Sequence, residues 1–176
     1  MILISKGNGK GKTTSAIGQA IRVLGHGGKV AFLQFIKSDK FKTGEEKILK
    51  SLKNVYFYKG GLGFVGIMGD NLPLVEHKRA AEKTFNLAKK IILSKKYNLV
   101  VLDEINNALQ LKLLKTKDVV EFLKAAKKKI GEGVDMFLTG RGAPKSLIKI
   151  ADLVSEVVDV KHPFHKNIKA RKGREF

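Results

Sequence analysis

A chain of 176 residues, 43% of them hydrophobic, holds enough apolar material for one ordinary core and too little for two domains. Lysines interrupt every apolar run before the roughly 18 to 20 residues that a membrane-spanning helix needs. No secretory leader opens the chain, and the absence of cysteine removes disulfides, thiolate metal sites and a cysteine nucleophile together, so the cytoplasm is the expected compartment. The formal charge of +19 rests on 30 lysines and only 5 arginines. Bidentate reading of bases and phosphates favours the arginine fork, so the excess reads as a solvated surface and no specific nucleic-acid partner is expected.

The first strand, Ile2 to Ser5, runs into Gly7-Asn8-Gly9-Lys10-Gly11-Lys12-Thr13-Thr14 and then a helix from about Lys12 to Leu24. Strand, glycine loop and helix in this order form a phosphate-binding loop. Glycines let backbone N–H groups converge on phosphate oxygens, the helix N-terminus adds partial positive charge, Lys12 neutralises, and the Thr13 hydroxyl can ligate Mg²⁺. The usual pattern has glycine five places before Gly11, where this chain has Lys6; Gly7 stands four before, so the loop is a shorter variant.

Val30 to Ile36 and Val55 to Tyr58 are the next strands, followed by an apolar, glycine-rich stretch, Gly60 to Gly66, which is either a crossover loop or a lid over a hydrophobic ligand. A helix from about Val75 to Leu93 aligns Ala81, Phe85, Ala88 and Ile92 on one stripe. Leu99 to Asp103 is a buried strand ending in the adjacent carboxylates Asp103 and Glu104, the pattern of a Walker B strand, with both acids facing the crevice beyond the strand ends. Asp103 would hold Mg²⁺ and Glu104 share that task or position a reactant, or else the pair caps the helix beginning at Ile105. A helix from Lys117 to Ile130 places Val120, Leu123 and Ala126 or Lys127 near one face, and Gly131 and Gly133 end it.

Met136 to Thr139 is a strand leading to Gly140-Arg141, where the guanidinium either reaches phosphate oxygens or lies on the surface. The last strand is expected at Val157 to Val160, before a basic arm from about residue 161 in which His162 and His165 lack a third metal ligand. The runs Lys89-Lys90, Lys95-Lys96 and Lys127-Lys128-Lys129 fall on the polar sides of helices, their stems lying over apolar neighbours. Apolar strands alternating with helical segments specify an α/β fold: a three-layer P-loop NTPase-like domain over residues 1–176, with a mostly parallel sheet of about six strands.

These residues resemble the P-loop ATP:corrinoid (cob(I)alamin) adenosyltransferases of cobalamin synthesis and salvage. The similarity is carried by Gly7 to Thr14, by Gly25-His26-Gly27 with Lys29-Val30 and Gln34-Phe35-Ile36-Lys37, and by Val101 to Asn106 with Ala108-Leu109. Leu138 to Arg141 with Ala143-Pro144, and Lys161 to Phe164 with Lys169-Ala170 and Gly173 to Phe176, extend it to the C-terminus. The resemblance implies transfer of the 5′-deoxyadenosyl group of ATP to the cobalt of a reduced corrinoid, Mg²⁺ or Mn²⁺ as cofactor, a homodimer, and a flavoprotein electron donor such as flavodoxin. It implies that ATP lies with its phosphates in reversed order along Gly7, Asn8, Gly9, Lys10, Gly11, Lys12, Thr13 and Thr14, with Arg141 nearby. Lys12 and Glu104 are then catalytic, and Thr13, Asp103 and Glu104 face the metal. Gly63, Phe64 and Gly66, together with His162 and Phe164 of the arm, would meet the corrinoid, with aromatic side chains displacing the lower cobalt ligand.

Two departures stand out: the family commonly has tryptophan where this chain has Gly66, and many members carry an N-terminal arm, whereas this chain begins at its first strand. A P-loop ATPase or small-molecule kinase is the competing enzyme class, and an ATP-dependent nucleic-acid binder the third. Product identity separates the enzymes: triphosphate for adenosyl transfer, ADP for the others.

Overall fold

A computed structural model describes residues 1–39, 42–67 and 69–174. The elements run β1 (Ile2–Lys6), α1 (Lys12–Gly25), β2 (Val30–Gln34), α2 (Gly44–Ser51), β3 (Val55–Lys59), α3 (Leu74–Ser94), β4 (Leu99–Asp103), α4 (Ile105–Gln110), α5 (Thr116–Ile130), β5 (Asp135–Thr139), α6 (Lys145–Ile148) and β6 (Leu153–Glu156). Six strands pair in the order β3-β2-β4-β5-β1-β6, every pairing parallel.

Successive strand side chains point to opposite faces, and the core divides accordingly. Val100 and Leu102 of β4 join Ile2, Ile4, Phe85, Ile92 and Leu123 under α3 and α5, whereas Leu99 and Val101 join Val30, Phe32, Ala16, Ala20 and Leu49 under α1 and α2. Helices therefore cover both faces, which is why β2 and β4 are buried at all five positions. The expected α3 stripe of Ala81, Phe85, Ala88 and Ile92 is buried, with His77 and Thr84 added to it. In α5 the buried line is Val119, Leu123, Ala126 and Ile130, so Val119 replaces the expected Val120 at its centre, and Val120 is partly buried. Lys127 instead pairs with Asp152. The Lys89 ammonium lies 4.7 Å from the Phe85 ring centroid and 5.7 Å from that of Phe122, a stem laid over apolar neighbours as expected.

The last strand is not at Val157 to Val160. β6 begins at Leu153, because Asp152 ties the start of the pairing with both its groups: its carboxylate accepts the Ile2 N–H at 2.7 Å and its own N–H donates to the Ile2 carbonyl at 2.8 Å. Four residues later β1 runs out, and the Val157 carbonyl turns to accept the Gly9 N–H at 2.8 Å. The apolar residues 157–160 thus continue past the end of the sheet along the phosphate loop. The true strand, Leu-Val-Ser-Glu, is an edge strand exposed at all four positions and so carries no buried-strand pattern. The helix expected to begin at Ile105 is α4, whereas α2 and α6 have no counterpart in the sequence reading; both are eight residues or shorter, too brief for a periodic signal.

Candidate active site

The parallel sheet is apolar until its C-terminal edge, where a row of buried polar residues crosses four strands. Gln34 of β2 is in register with Asp103 of β4, and Ser5 of β1 with Thr139 of β5, and none of the four is more than 1% exposed. Asp103 is the centre of this row. Its Oδ1 accepts hydrogen bonds from Thr139 Oγ1 at 2.7 Å and Thr13 Oγ1 at 2.9 Å, and its Oδ2 accepts from Gln34 Nε2 at 2.9 Å, with the Lys37 ammonium 3.5 Å away. The strand order explains this convergence. β5 lies between β4 and β1, so Thr139 bridges the acidic strand and the phosphate loop that follows β1.

The loop itself is braced from both sides. The Gly7 N–H donates to the Arg141 carbonyl at 2.9 Å and the Gly9 N–H to the Val157 carbonyl. These two N–H groups hold the loop in place, which leaves the α1 N-terminus, at Lys12, Thr13 and Thr14, as the part with backbone donors beyond the helix ladder. Gly11, at φ +116°, makes the turn into the helix. A Cβ on Gly9 would stand 2.5 Å from the Val158 carbonyl oxygen, and on Gly7 2.4 Å from that of Val157. Gly9→Ala is therefore expected to cost about 2 to 3 kcal/mol by overpacking against backbone. A urea titration that leaves the midpoint unchanged would show that the 157–158 segment yields.

Lys12 lies in the loop with Nζ donating to the Gly9 carbonyl at 2.5 Å. Burial lowers its pKa, with Arg141 acting in the same direction against the carboxylates Glu104 and Asp103. Asn8 and Thr14 are exposed, and Lys10 donates from its exposed ammonium to the Arg174 carbonyl of the C-terminal arm.

Glu104 follows β4 with φ +64°, a left-handed conformation that is unusual for glutamate and marks a strained position. Its N–H donates to Thr139 Oγ1 at 3.0 Å. It occupies the N-cap position of α4, yet its side chain makes no capping hydrogen bond, and Oε2 is buried without any hydrogen-bond partner among the described residues. Burial first, and then the Asp103 charge, raise its pKa to about 7, while Lys37, Lys12 and Arg141 pull the other way. A strained residue with an unpartnered buried oxygen beside three cations is built to meet something outside the chain.

Arg141 is exposed at the side chain; its backbone does the positioning, the N–H donating to Asn107 Oδ1 at 2.5 Å while the carbonyl holds Gly7. Gly140, at φ +131°, fits there because a Cβ would meet Asn106 and Asn107 at 2.8 Å. Three polar positions were not singled out as site residues from the sequence: Gln34, Lys37 and Thr139. Burial works to lower the Lys37 pKa, but Asp103, Glu45 and Glu104 together raise it above its ordinary value. The available signal was positional: Gln34 ends an otherwise apolar strand and Thr139 follows the apolar run Met136 to Leu138, both at the edge where Asp103 ends its own strand.

The residues expected around a corrinoid come from segments that follow two different strands. Gly63, Phe64 and Gly66 follow β3 and the arm follows β6, and these are the two edge strands. With strands about 4.8 Å apart, five spacings separate those edges by about 24 Å. Phe64 is 43% exposed and Phe164 72%. His162 accepts the Phe164 N–H on Nδ1 at 3.1 Å and caps its own short turn, and His165 pairs with Asp159 at 2.8 Å. Glu175 and Phe176, at the end of the arm, lie outside the described residues.

Residues 1–176 match the family described as ATP:corrinoid adenosyltransferase BtuR/CobO/CobP. The chain belongs to that family. It is 40% identical to the corrinoid adenosyltransferase of a Sinorhizobium species, covering all of this chain and 80% of that protein. It is 38% identical to that of Pseudomonas aeruginosa, over all of this chain and 83% of the relative, and 32% identical to that of Escherichia coli K12, over all of this chain and 85% of the relative. A KaiC-like protein of Pyrococcus horikoshii shares the fold at a TM-score of 0.51 and 19% identity, over 88% of this chain and 71% of that one. Among the described residues no helix is long and apolar enough to cross a membrane.

For an ATP:corrinoid adenosyltransferase, the donors at the sheet edge suit a divalent cation shared with triphosphate. Thr13, Asp103 and Glu104 supply one hydroxyl and two carboxylates, and no group of three or more His, Cys, Asp or Glu residues able to hold a metal occurs among the described residues. Magnesium takes such sparse protein coordination when phosphate oxygens and water complete its shell, and Glu104 Oε2, buried without a hydrogen-bond partner among the described residues, would be available to it.

Proposed function

We propose that this chain transfers the 5′-deoxyadenosyl group of ATP to the cobalt of a reduced corrinoid, cobalamin or cobinamide, and releases triphosphate. The observation that carries the proposal is the end-to-end family match on a chain whose phosphate loop, Asp103 and Glu104 meet at one sheet edge. Co(I) is itself the nucleophile: its electron pair forms the bond to C5′ as the C5′–oxygen bond breaks, and that bond's electrons leave with triphosphate. No protein base or thiol is needed, only orientation and stabilisation of the leaving group. In this scheme the α1 N-terminus, Lys12 and Arg141 receive the phosphates. Thr13, Asp103 and Glu104 would hold Mg²⁺ or Mn²⁺, which supplies further charge neutralisation to the triphosphate. Gln34 and Thr139 fix the Asp103 carboxylate, and Lys37 balances its charge.

The chain acts as one domain with its arm from about residue 161, as a cytoplasmic homodimer served by a flavoprotein electron donor. The test is anaerobic incubation with ATP and cob(I)alamin. The expected result is the spectrum of a cobalt–carbon bond with one triphosphate per product; ADP in its place would identify a kinase or ATPase.

The Phe64 side chain supplies an apolar wall against the lower corrinoid face, so Phe64→Ala should discriminate between starting states. Starting from Co(II) with a weak reductant, adenosylation should fall sharply, because a lower ligand stays bound; from pre-formed Co(I), most activity should survive. Equal losses in both assays would reduce Phe64 to a packing residue.

A further inference from the structure

The segment that carries Phe64, between β3 and α3, is fastened at both ends. At its start the Gly60 N–H donates to the Gln34 carbonyl and the Gly63 N–H to the Ile36 carbonyl, both at 2.9 Å. Gly61 packs so closely there that a Cβ would come within 2.2 Å of the Ile36 carbonyl carbon. At the far end the described hydrogen bonds gather on Asp70, whose own N–H donates to the Ile67 carbonyl at 3.2 Å. Asp70 Oδ2 accepts the Gly66 N–H at 2.8 Å, Oδ1 accepts the Leu72 N–H at 3.2 Å, and both oxygens lie 3.0 to 3.2 Å from Nε2 of His77. His77 stands on the buried face of α3, its side chain 2% exposed against 8% for that of Asp70.

A buried acid–imidazole pair is a poor source of net stability, because desolvation offsets the attraction. What this one does is geometric. It joins the loop to a rigid 21-residue helix and converts two backbone amides into fixed points. Gly66 takes φ +68° to present its N–H, a left-handed conformation in which a tryptophan would be strained. The residue that departs from the family's usual tryptophan is therefore the one the carboxylate grips. The Gly66 hydrogen bond, above all, holds the Asp70 carboxyl below its usual range, so the acceptor is ionised at neutral pH.

We infer that Asp70, braced by His77, is the positioning residue that fixes the Phe64 loop and thereby sets the corrinoid subsite; this rests on the adenosyl-transfer reading above. The described hydrogen bonds of Asp70 and His77 lie within the loop and α3, none of them to the phosphate loop, so their effect should be confined to one substrate. The experiment compares Asp70→Ala, His77→Ala and His77→Gln with wild type, assayed from pre-formed Co(I). In the two alanine variants the corrinoid KM should rise about tenfold, with the ATP KM within about twofold, as expected when a supporting group off the chemistry shifts one subsite. His77→Gln, which can still offer an amide N–H to Asp70, should recover part of the loss.

Hydrogen exchange read on the protein alone should show the Gly66 and Leu72 amides opening at least about tenfold faster in Asp70→Ala, with the β4 amides unchanged. Unchanged exchange, an unchanged corrinoid KM, or equal rises in both KM values would each overturn the inference. Wild type that forms no cobalt–carbon bond overturns the adenosyl-transfer reading, and this role with it.

Discussion

Lys12→Ala should lower kcat/KM by about 100- to 1000-fold, the scale on which loss of one preorganised donor to a developing anion is felt. Both ATP affinity and turnover should fall, because the ammonium meets phosphate charge in the bound ground state and again on the departing triphosphate. The fold should be nearly indifferent. The only hydrogen bond described for Lys12 Nζ is to Gly9 within the same loop, so the unfolding free energy from a urea titration should change by no more than about 0.5 kcal/mol. Lys12→Arg should restore little, since a planar fork does not replace a point charge seated between the loop and Glu104. Removing the cation also removes one of the three charges that restrain the Glu104 pKa, so that carboxyl should titrate higher still. ATP binding by calorimetry together with steady-state turnover decides the matter: if neither changes, the loop is not the nucleotide site.

Glu104→Gln should trade activity for stability. The folded protein holds the Glu104 proton more tightly than the unfolded chain does, with a pKa of about 7 against 4.5. Stability from this group is thus greatest below about pH 4.5, declines as the pH rises toward 7, and stays low above it. Converted at 1.36 kcal/mol per unit, the charged carboxylate costs up to about 3 kcal/mol at pH 8 in the absence of nucleotide and metal. The neutral isostere escapes that cost, so Glu104→Gln should raise the thermal midpoint by several degrees at pH 8 and hardly at all at pH 4.5. At about 2 to 4 °C per kcal/mol for a chain of this size, the difference is easily measured. Turnover should fall about 100-fold and require more Mg²⁺, because a metal-facing charge is gone. Equal midpoint changes at both pH values, or a Mg²⁺ titration like that of wild type, would make Glu104 a plain helix start.

Local spacing was enough for what is set by neighbours along the chain. The strand, glycine loop and helix from Ile2 to Leu24 are legible because the turn, the converging amides and the lysine all come from consecutive residues. The same holds for the run Leu99 to Glu104, where burial on both faces demands an uninterrupted apolar strand and the carboxylates mark its end. Even the family was recognisable from short ordered motifs, and the full-length match bears this out.

Where a contact joins distant positions, spacing carried no information. Asp152 starts β6 by bonding a residue 150 places away, and the apolar run at 157–160 lies along the phosphate loop only because β1 ends beneath it. Gln34 and Thr139 converge on Asp103 because β4 sits between β2 and β5 in the sheet, although 69 and 36 residues separate them from it in sequence. That Phe64 and Phe164 follow opposite edge strands, β3 and β6, is likewise visible only in the strand order. Sequence determined the chemistry this chain carries, since that resides in side chains and short turns; the strand order alone decided which of those groups share a site, because hydrogen-bonded pairing across the sheet brings together residues that the chain keeps far apart.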